Sequence, residues 1–243
     1  RDFIDYPYHS DLAVIQAATL LSNRDFSVEV VSAFSLPDSG LHPLDENWVL
    51  MGSRIDAVEA TIEPSGVFLV HYTPFHRPPV REPVLYELLE RLRLAHPDTP
   101  IVLADLYQSG EHYIEADPVA IASAYPQADL ILKYQAEAVL EAECRRLLDE
   151  GRPQGPRFVD GPELKKLDML PIPDWGLVSL TNRDLFIGRV VEHLGRGSWA
   201  FPLDGRTLPV ITSRGCPHRC GHCSSNPGID ASARKVQARH SPQ

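Results

Sequence analysis

The sequence predicts an α/β fold, an N-terminal doubly wound five-stranded parallel sheet. Two observations carry this. Over the first 150 or so residues, short β-type runs alternate with stretches whose apolar residues recur at helical spacing. One of those runs, Val67-Phe68-Leu69-Val70-His71-Tyr72, is apolar almost throughout, as a central parallel strand covered on both faces must be.

The elements follow in order. Asp2-Phe3-Ile4-Asp5-Tyr6 reads as the tail of a first strand. Ser10 and Asp11 can cap a helix through Leu12, Ile15, Ala18 and Leu21. Val28 to Phe34 is β-branched and apolar enough for a second strand. The spacing of Trp48, Met51, Ile55 and Val58 predicts a helix, and Val67–Tyr72 is the third strand. Val84 to Leu94 is helical, Ile101-Val102-Leu103-Ala104 is a strand introduced by Pro100, Leu130-Ile131-Leu132 makes a fifth, and Ala136 to Leu148 closes with a helix. Residues 1–151 thus form one domain.

In such sheets ligands bind beyond the carboxyl ends of the strands. The loops there are Tyr6-Pro7-Tyr8-His9-Ser10, Tyr72 to Pro78, Asp105 to Gly110, and Lys133-Tyr134-Gln135-Ala136-Glu137. They carry hydroxyls, rings and small residues suited to a large, partly apolar cofactor, or are simply polar loops with turn-forming Pro and Gly. Residues 152–207 have scattered Pro and Gly and little periodicity; 152–175 reads as linker and 176–207 as a connecting segment, with Phe186 to Val191 as a short strand. No internal repeat and no phosphate-cradling glycine loop is present.

A formal net charge of −10 and a pI near 5.4 argue against nucleic acid or an anionic membrane as the main partner. No apolar run approaches the roughly 20 residues of a membrane-spanning helix. A hydrophobic content of 43% supports a real core, and unpaired cysteines suit a reducing cytoplasm.

Chemistry concentrates near the end of the chain. After the β-type run Leu208-Pro209-Val210-Ile211-Thr212-Ser213 comes Gly215-Cys216-Pro217-His218-Arg219-Cys220-Gly221-His222-Cys223, holding three of the four cysteines. Three is an odd number for a disulfide framework, and no secretory signal is read ahead of it. Gaps of three and two residues let one tight loop aim three thiolates at one centre, as suits an iron–sulfur cluster with one iron left open. Zinc is the rival, because Cys220-Gly221-His222-Cys223 is itself a C-x2-C knuckle to which His218, His222 or His240 can add a ligand. The partner cysteine pair of a zinc ribbon is missing: Cys144 lies far upstream amid Ala142, Leu147 and Leu148, where it reads as a helix core residue.

The C-x3-C-x2-C spacing after a strand resembles the radical S-adenosylmethionine (SAM) enzymes. Arg239-His240-Ser241-Pro242 resembles the Arg-x-Ser-Pro segment that often opens the first helical region after their cluster loop. The resemblance implies that Cys216, Cys220 and Cys223 each ligate one iron of a [4Fe-4S] cluster. SAM then binds the open iron, with His222 near its adenine where an aromatic residue is usual. Reductive cleavage of SAM gives a 5′-deoxyadenosyl radical that abstracts hydrogen from a small-molecule substrate, with a flavodoxin or ferredoxin as electron donor. Residues 208–243 are then the first strand and cluster loop of a truncated β/α barrel, which needs 200 or more residues when whole. Beginning on Arg1 and stopping after Ser241-Pro242, the chain reads as a piece cut at both ends, inactive by itself.

A five-strand domain placed before such a loop resembles the cobalamin-binding domain of cobalamin-dependent radical SAM enzymes. Leu167-Asp168-Met169-Leu170-Pro171-Ile172-Pro173-Asp174-Trp175 resembles their linker, of the form Leu-Pro-x-Pro-Asp plus an aromatic. Asp129 through Glu137 sits where many members have Asp, a strand and Gly-Glu-x-Glu; this chain keeps Glu137 and lacks those glycines, and has Ala104-Asp105-Leu106 where Gly-Gly is common. The resemblance implies cobalamin at the carboxyl edge, with Thr73, Ser109 and Gly110 as contacts, serving methyl transfer or a related rearrangement. Asp5-Tyr6-Pro7-Tyr8-His9 differs in spacing from the Asp-x-His-x-x-Gly of cobalamin mutases and lacks its Gly, so no protein imidazole is expected on cobalt; His9, His71 and His76 read as residues with local hydrogen bonds. Two alternatives stay open: a zinc-stabilised binding module, and a radical SAM enzyme whose front domain serves docking without cobalamin.

Overall fold

In the computed structural model, residues 12–72, 81–106, 117–133, 135–162, 164–194, 206, 208–214 and 238–241 are described. The chain is α/β, with a four-stranded parallel sheet among helices. In chain order the elements are α1 (Leu12–Ser22), β1 (Gly40–Pro43), β2 (Val49–Gly52), α2 (Ile55–Glu59), β3 (Phe68–His71), α3 (Pro83–Ala95), β4 (Ile101–Ala104), α4 (Pro118–Ala124), β5 (Leu130–Lys133), α5 (Leu140–Glu150), β6 (Arg157–Asp160), α6 (Leu180–Leu194), β7 (Ser213–Arg214) and β8 (Ala238–Arg239). They fall into two units, Arg1–Pro64 with Ile172–Val210, and Ser65–Pro171 with Ile211–Gln243.

The second unit holds the sheet, in the order β3-β4-β5-β6 with every neighbour parallel. All eight residues of β4 and β5 are buried. Ile101, Val102, Leu103, Leu130, Ile131 and Leu132 are each essentially inaccessible, and each contributes about 1.5–3 kcal/mol of apolar burial. The helices between strands begin on matched signals. Glu82 accepts from the Leu85 amide with Pro83 at the first helical position of α3, and Asp117 accepts from the Val119 amide ahead of Pro118 in α4. Leu85, Leu89 and Leu92 of α3, and Leu140, Cys144 and Leu147 of α5, give each helix one buried stripe.

At the amino end of the sheet, the buried Asp129 carboxylate accepts from the Ile101 amide at 2.9 Å, from Arg152 Nε at 2.7 Å, and from Arg93 Nη2. One side chain thereby ties the starts of β4 and β5 to the end of α3 and to the chain after α5.

In the first unit α1 is buried on nearly every side. Its Thr19 hydroxyl donates to the Ile15 carbonyl and accepts from the Asp174 amide at 2.8 Å. In α6, Arg183, Phe186 and Val190 are buried; Phe34 packs on Phe186 with ring centroids 5.0 Å apart, and Asn182 Nδ2 donates to the Ser35 carbonyl.

Several expectations are corrected. Val28–Phe34 joins no strand ladder: Ser32, Ser39 and Ser53 bond locally instead, with Ser32 Oγ accepting from the Phe34 amide and Ser39 Oγ donating to the Ala33 carbonyl. The helix expected through Trp48 and Met51 is a β1–β2 hairpin, because Asp45 Oδ1 accepts from the Asn47 and Trp48 amides and turns the chain; helix starts only at Ile55. Phe186–Val191 lies within α6, its buried positions three and four apart. Residues 157–160, read within the linker, form β6, an edge strand with alternating burial. Leu208–Thr212 is not strand, which is confined to Ser213–Arg214. The first expected strand, Asp2–Tyr6, lies outside the described residues. Among the described residues the sheet has four strands in sequential order with no reversal, where five in a doubly wound sheet were expected.

Candidate functional site at the base of the cysteine loop

Cys216, Cys220, Cys223 and His222 lie outside the described residues, as do Thr73, Ser109, Gly110, His9 and His76. What is described is the ground on which the cysteine loop stands. Ser213 and Arg214, just before it, pair with Arg239 and Ala238, just after it, in a short antiparallel ladder. Antiparallel pairing needs no helical crossover, so a chain that returns to its starting point after one loop can close this way. A β/α barrel strand takes parallel neighbours instead; here Arg239 adds one parallel bridge, to Lys166, and none of residues 238–241 is helical.

Both feet of the loop are tied down within the second unit. On the returning side, the Leu167 amide donates to the Arg239 carbonyl at 3.1 Å. The Asp168 carboxylate accepts from the Ser241 amide and from its hydroxyl, each at 2.6 Å. These two bonds hold the Asp168 carboxyl below its ordinary value, the hydroxyl contributing more than the amide. His240 Nδ1 lies 3.9 Å from the same carboxylate. Residues 167–168 and 239–241, from two segments picked out separately in the sequence, therefore meet.

On the entering side, Arg214 reaches the sheet. Its Nη2 donates to Glu137 Oε1 at 2.7 Å and its Nη1 to Oε2 at 3.2 Å. The two side chains are 3% and 0% exposed, so this is a two-point charge contact removed from water. Glu137 lies in the 3-10 turn Ala136–Ala138 at the carboxyl end of β5. That turn is held by the Gln135 side chain, which accepts from the Leu164 amide at 2.8 Å, and by close backbone contact with Gly161, whose amide donates to the Lys133 carbonyl at 3.0 Å. A Cβ at Gly161 would stand 2.1 Å from the Gln135 carbonyl oxygen, so only glycine fits.

The same edge of the sheet carries further buried polar groups. Asp105 and Lys133 follow or end β4 and β5 and are 2% and 5% exposed; Tyr72 follows β3 and is fully buried. His71 Nδ1 is 3.4 Å from the Ala104 carbonyl oxygen. Thr73 follows Tyr72 directly in sequence, so it and Ser109-Gly110 succeed adjacent strands, β3 and β4. Asp105, Lys133 and Glu137, with the Arg214 that Glu137 holds, thus gather buried polar groups at the carboxyl ends of β4 and β5, the side of a parallel sheet where ligands bind.

The chain matches no family model, no curated protein and no solved structure.

Among the described residues no group of three or more His, Cys, Asp or Glu is arranged to hold a metal ion, and no helix is long and apolar enough to cross a membrane. Cys144 is buried, as its helical surroundings predict, and burial pushes its thiol up to about 11, with Glu143 adding to the effect. Sequence reasoning passed over Arg214, although a charge at the end of an apolar run and just before a cysteine loop is a usable signal. It also passed over Gly161, whose need appears only once Gln135 is seen beside it.

Proposed function

We propose that the chain belongs to a radical SAM enzyme whose catalytic centre is a [4Fe-4S] cluster on Cys216, Cys220 and Cys223. The observation that carries the reading is the C-x3-C-x2-C loop itself, supported by a base pinned to the carboxyl edge of a parallel α/β sheet through Arg214 and Glu137. The donor set fits such a cluster: three soft thiolates from one loop, with no fourth cysteine nearby, leave one iron for a substrate or cofactor. When bound, the cluster supplies the electron that cleaves SAM and so begins hydrogen abstraction from a small-molecule substrate. The chain's own residues hold the loop. The β7–β8 ladder closes its ends, Asp168 and Ser241 fasten the exit, and Arg214 and Glu137 fix the entrance from water-excluded positions. His222 is assigned to the adenine side.

The front sheet, read as part of a doubly wound domain, is the platform for cobalamin, with Thr73, Ser109 and Gly110 succeeding β3 and β4 in sequence. Methyl transfer is the reaction this pairing of cofactors favours, and a flavodoxin or ferredoxin is the fitting electron donor. The test is anaerobic reconstitution of the full-length protein with iron, sulfide and cobalamin. Metal is assayed beside a Cys216/Cys220/Cys223→Ala triple variant. About four irons per chain, absent from the variant, with release of 5′-deoxyadenosine from SAM, is the expected result. Stoichiometric zinc without iron would overturn it in favour of a zinc-bound module. Iron with no retained cobalt would leave the radical chemistry standing and assign the front domain to docking.

A further inference from the structure

We infer that Glu137 and Arg214 are positioning residues for the centre held by Cys216, Cys220 and Cys223, setting where the loop stands against the carboxyl edge of the sheet; this rests on reading those thiolates as metal ligands. Packing alone does not call for the pair. Taking both charges out of water is costly, and two apolar side chains of similar volume commonly serve a core as well or better. What an Arg–carboxylate contact adds is direction: two roughly parallel N–H···O bonds fix the angle of approach as well as the distance.

Each end of the contact has a reason to be where it is. Arg214 closes β7 and stands two positions before Cys216. Glu137 sits on a turn that Gln135, Leu164 and Gly161 hold against β5 and β6. The returning foot of the loop is fastened to Leu167 and Asp168, so the entering foot is the one that Glu137 sets. Groups bonded directly to a metal ligand typically carry about 10–100-fold of metal affinity, which sets the upper bound for a pair that acts through the chain two positions away.

The experiment measures iron and zinc retained against a competing chelator, in the reconstituted full-length protein, alongside thermal midpoints and the electron paramagnetic resonance signal of the reduced centre. The variants are Arg214→Lys, which keeps charge and loses the fork, and the paired Glu137→Met/Arg214→Met, which removes both charges together. The expected result is a paired variant that melts near the wild type yet retains metal more weakly, by up to about 10–100-fold, with an altered signal and an intermediate loss in Arg214→Lys. Unchanged retention and signal in a folded paired variant would overturn the inference. If the paired variant fails to fold, Arg214→Lys decides: weaker retention at an unchanged midpoint supports positioning, and wild-type retention refutes it. Wild-type protein that loads zinc would sink the radical SAM reading while leaving the comparison among variants valid. Wild-type protein that loads neither metal overturns both.

Discussion

Gly161→Ala tests whether the turn that carries Glu137 is as tightly set as its contacts imply. The new Cβ would lie 2.1 Å from the Gln135 carbonyl oxygen and 2.6 Å from its carbon. Ordinary contact begins near 3.4 Å, so the two backbones must part by about 1.3 Å (3.4 less 2.1). Neither is the free end of a side chain: Gly161 is bonded to the Lys133 carbonyl, and Gln135 to the Leu164 amide. A shift of that size at Gln135, two residues from Glu137, would carry the 2.7 Å bond to Arg214 beyond hydrogen-bonding range. Overpacking alone costs about 1–3 kcal/mol, and stretching a buried hydrogen bond between charged groups out of range adds about 1.5–3 kcal/mol. With partial relaxation, about 3–5 kcal/mol in total is expected. Urea unfolding should show this as a lower midpoint at constant slope. The same substitution placed on Glu137→Met/Arg214→Met should cost only the overpacking share, about 1–3 kcal/mol. A loss below about 1 kcal/mol in the wild-type background, or the same cost in both backgrounds, would refute the coupling of Gly161 to the ion pair.

Three further outcomes are expected. Asp129→Asn should lower stability by about 2–4 kcal/mol, because Arg93 and Arg152 lose their charged partner and an amide NH2 replaces one of the two accepting oxygens; chemical denaturation measures it, and metal retention should not change. Cys144, buried and with its thiol pushed up to about 11, should resist alkylation at pH 8 in the folded protein and react on unfolding; ready labelling of the native state would contradict its place in the core. Asp168 has its carboxyl depressed in the folded chain, so the Asp168–Ser241 contact contributes stability above the ordinary value of 3.8 and loses it only as pH falls through the lower, folded value. Protection of the Ser241 amide, its exchange rate relative to the unstructured rate at the same pH, should therefore persist at pH 4 and fall as pH drops through the lower, folded value, and Asp168→Asn should abolish that dependence.

The parts of the fold that were legible are those where one strand or helix carries its own signal. β4 and β5 are four-residue apolar runs buried on both faces, and α3 and α5 space their leucines for one stripe. The parts that misled depend on partners. Arg157-Phe158-Val159-Asp160 becomes a strand because β5 offers it a ladder, with half its side chains left exposed; nothing in those four residues distinguishes that from linker. Trp48, Met51, Ile55 and Val58 mimic a helix face, and one aspartate, Asp45, turns the first half into a hairpin. At the proposed site, the cysteine spacing and Glu137 are each visible in the sequence taken singly. Their connection is not, because Arg214 and Glu137 are 77 positions apart and a charge-pair partner at that separation leaves no local pattern.

β5 shows why one short segment can matter to both fold and site. Asp129 precedes it and Glu137 follows it, both buried, yet their acceptors are directed to different ends. The aspartate collects Arg93, Arg152 and the Ile101 amide at the amino end, where no ligand of a parallel sheet is expected; its duty is to hold helices to strands. The glutamate collects Arg214 at the carboxyl end, where ligands of such sheets gather and where the cysteine loop begins. Charges this buried are tolerated only when their geometry is well satisfied, so each end is fixed in position by the partners it has. Between them Leu130, Ile131 and Leu132 form an apolar, fully buried strand that keeps the two polar ends apart. A disturbance at the carboxyl edge should accordingly be felt first at the foot of the cysteine loop and last at Asp129.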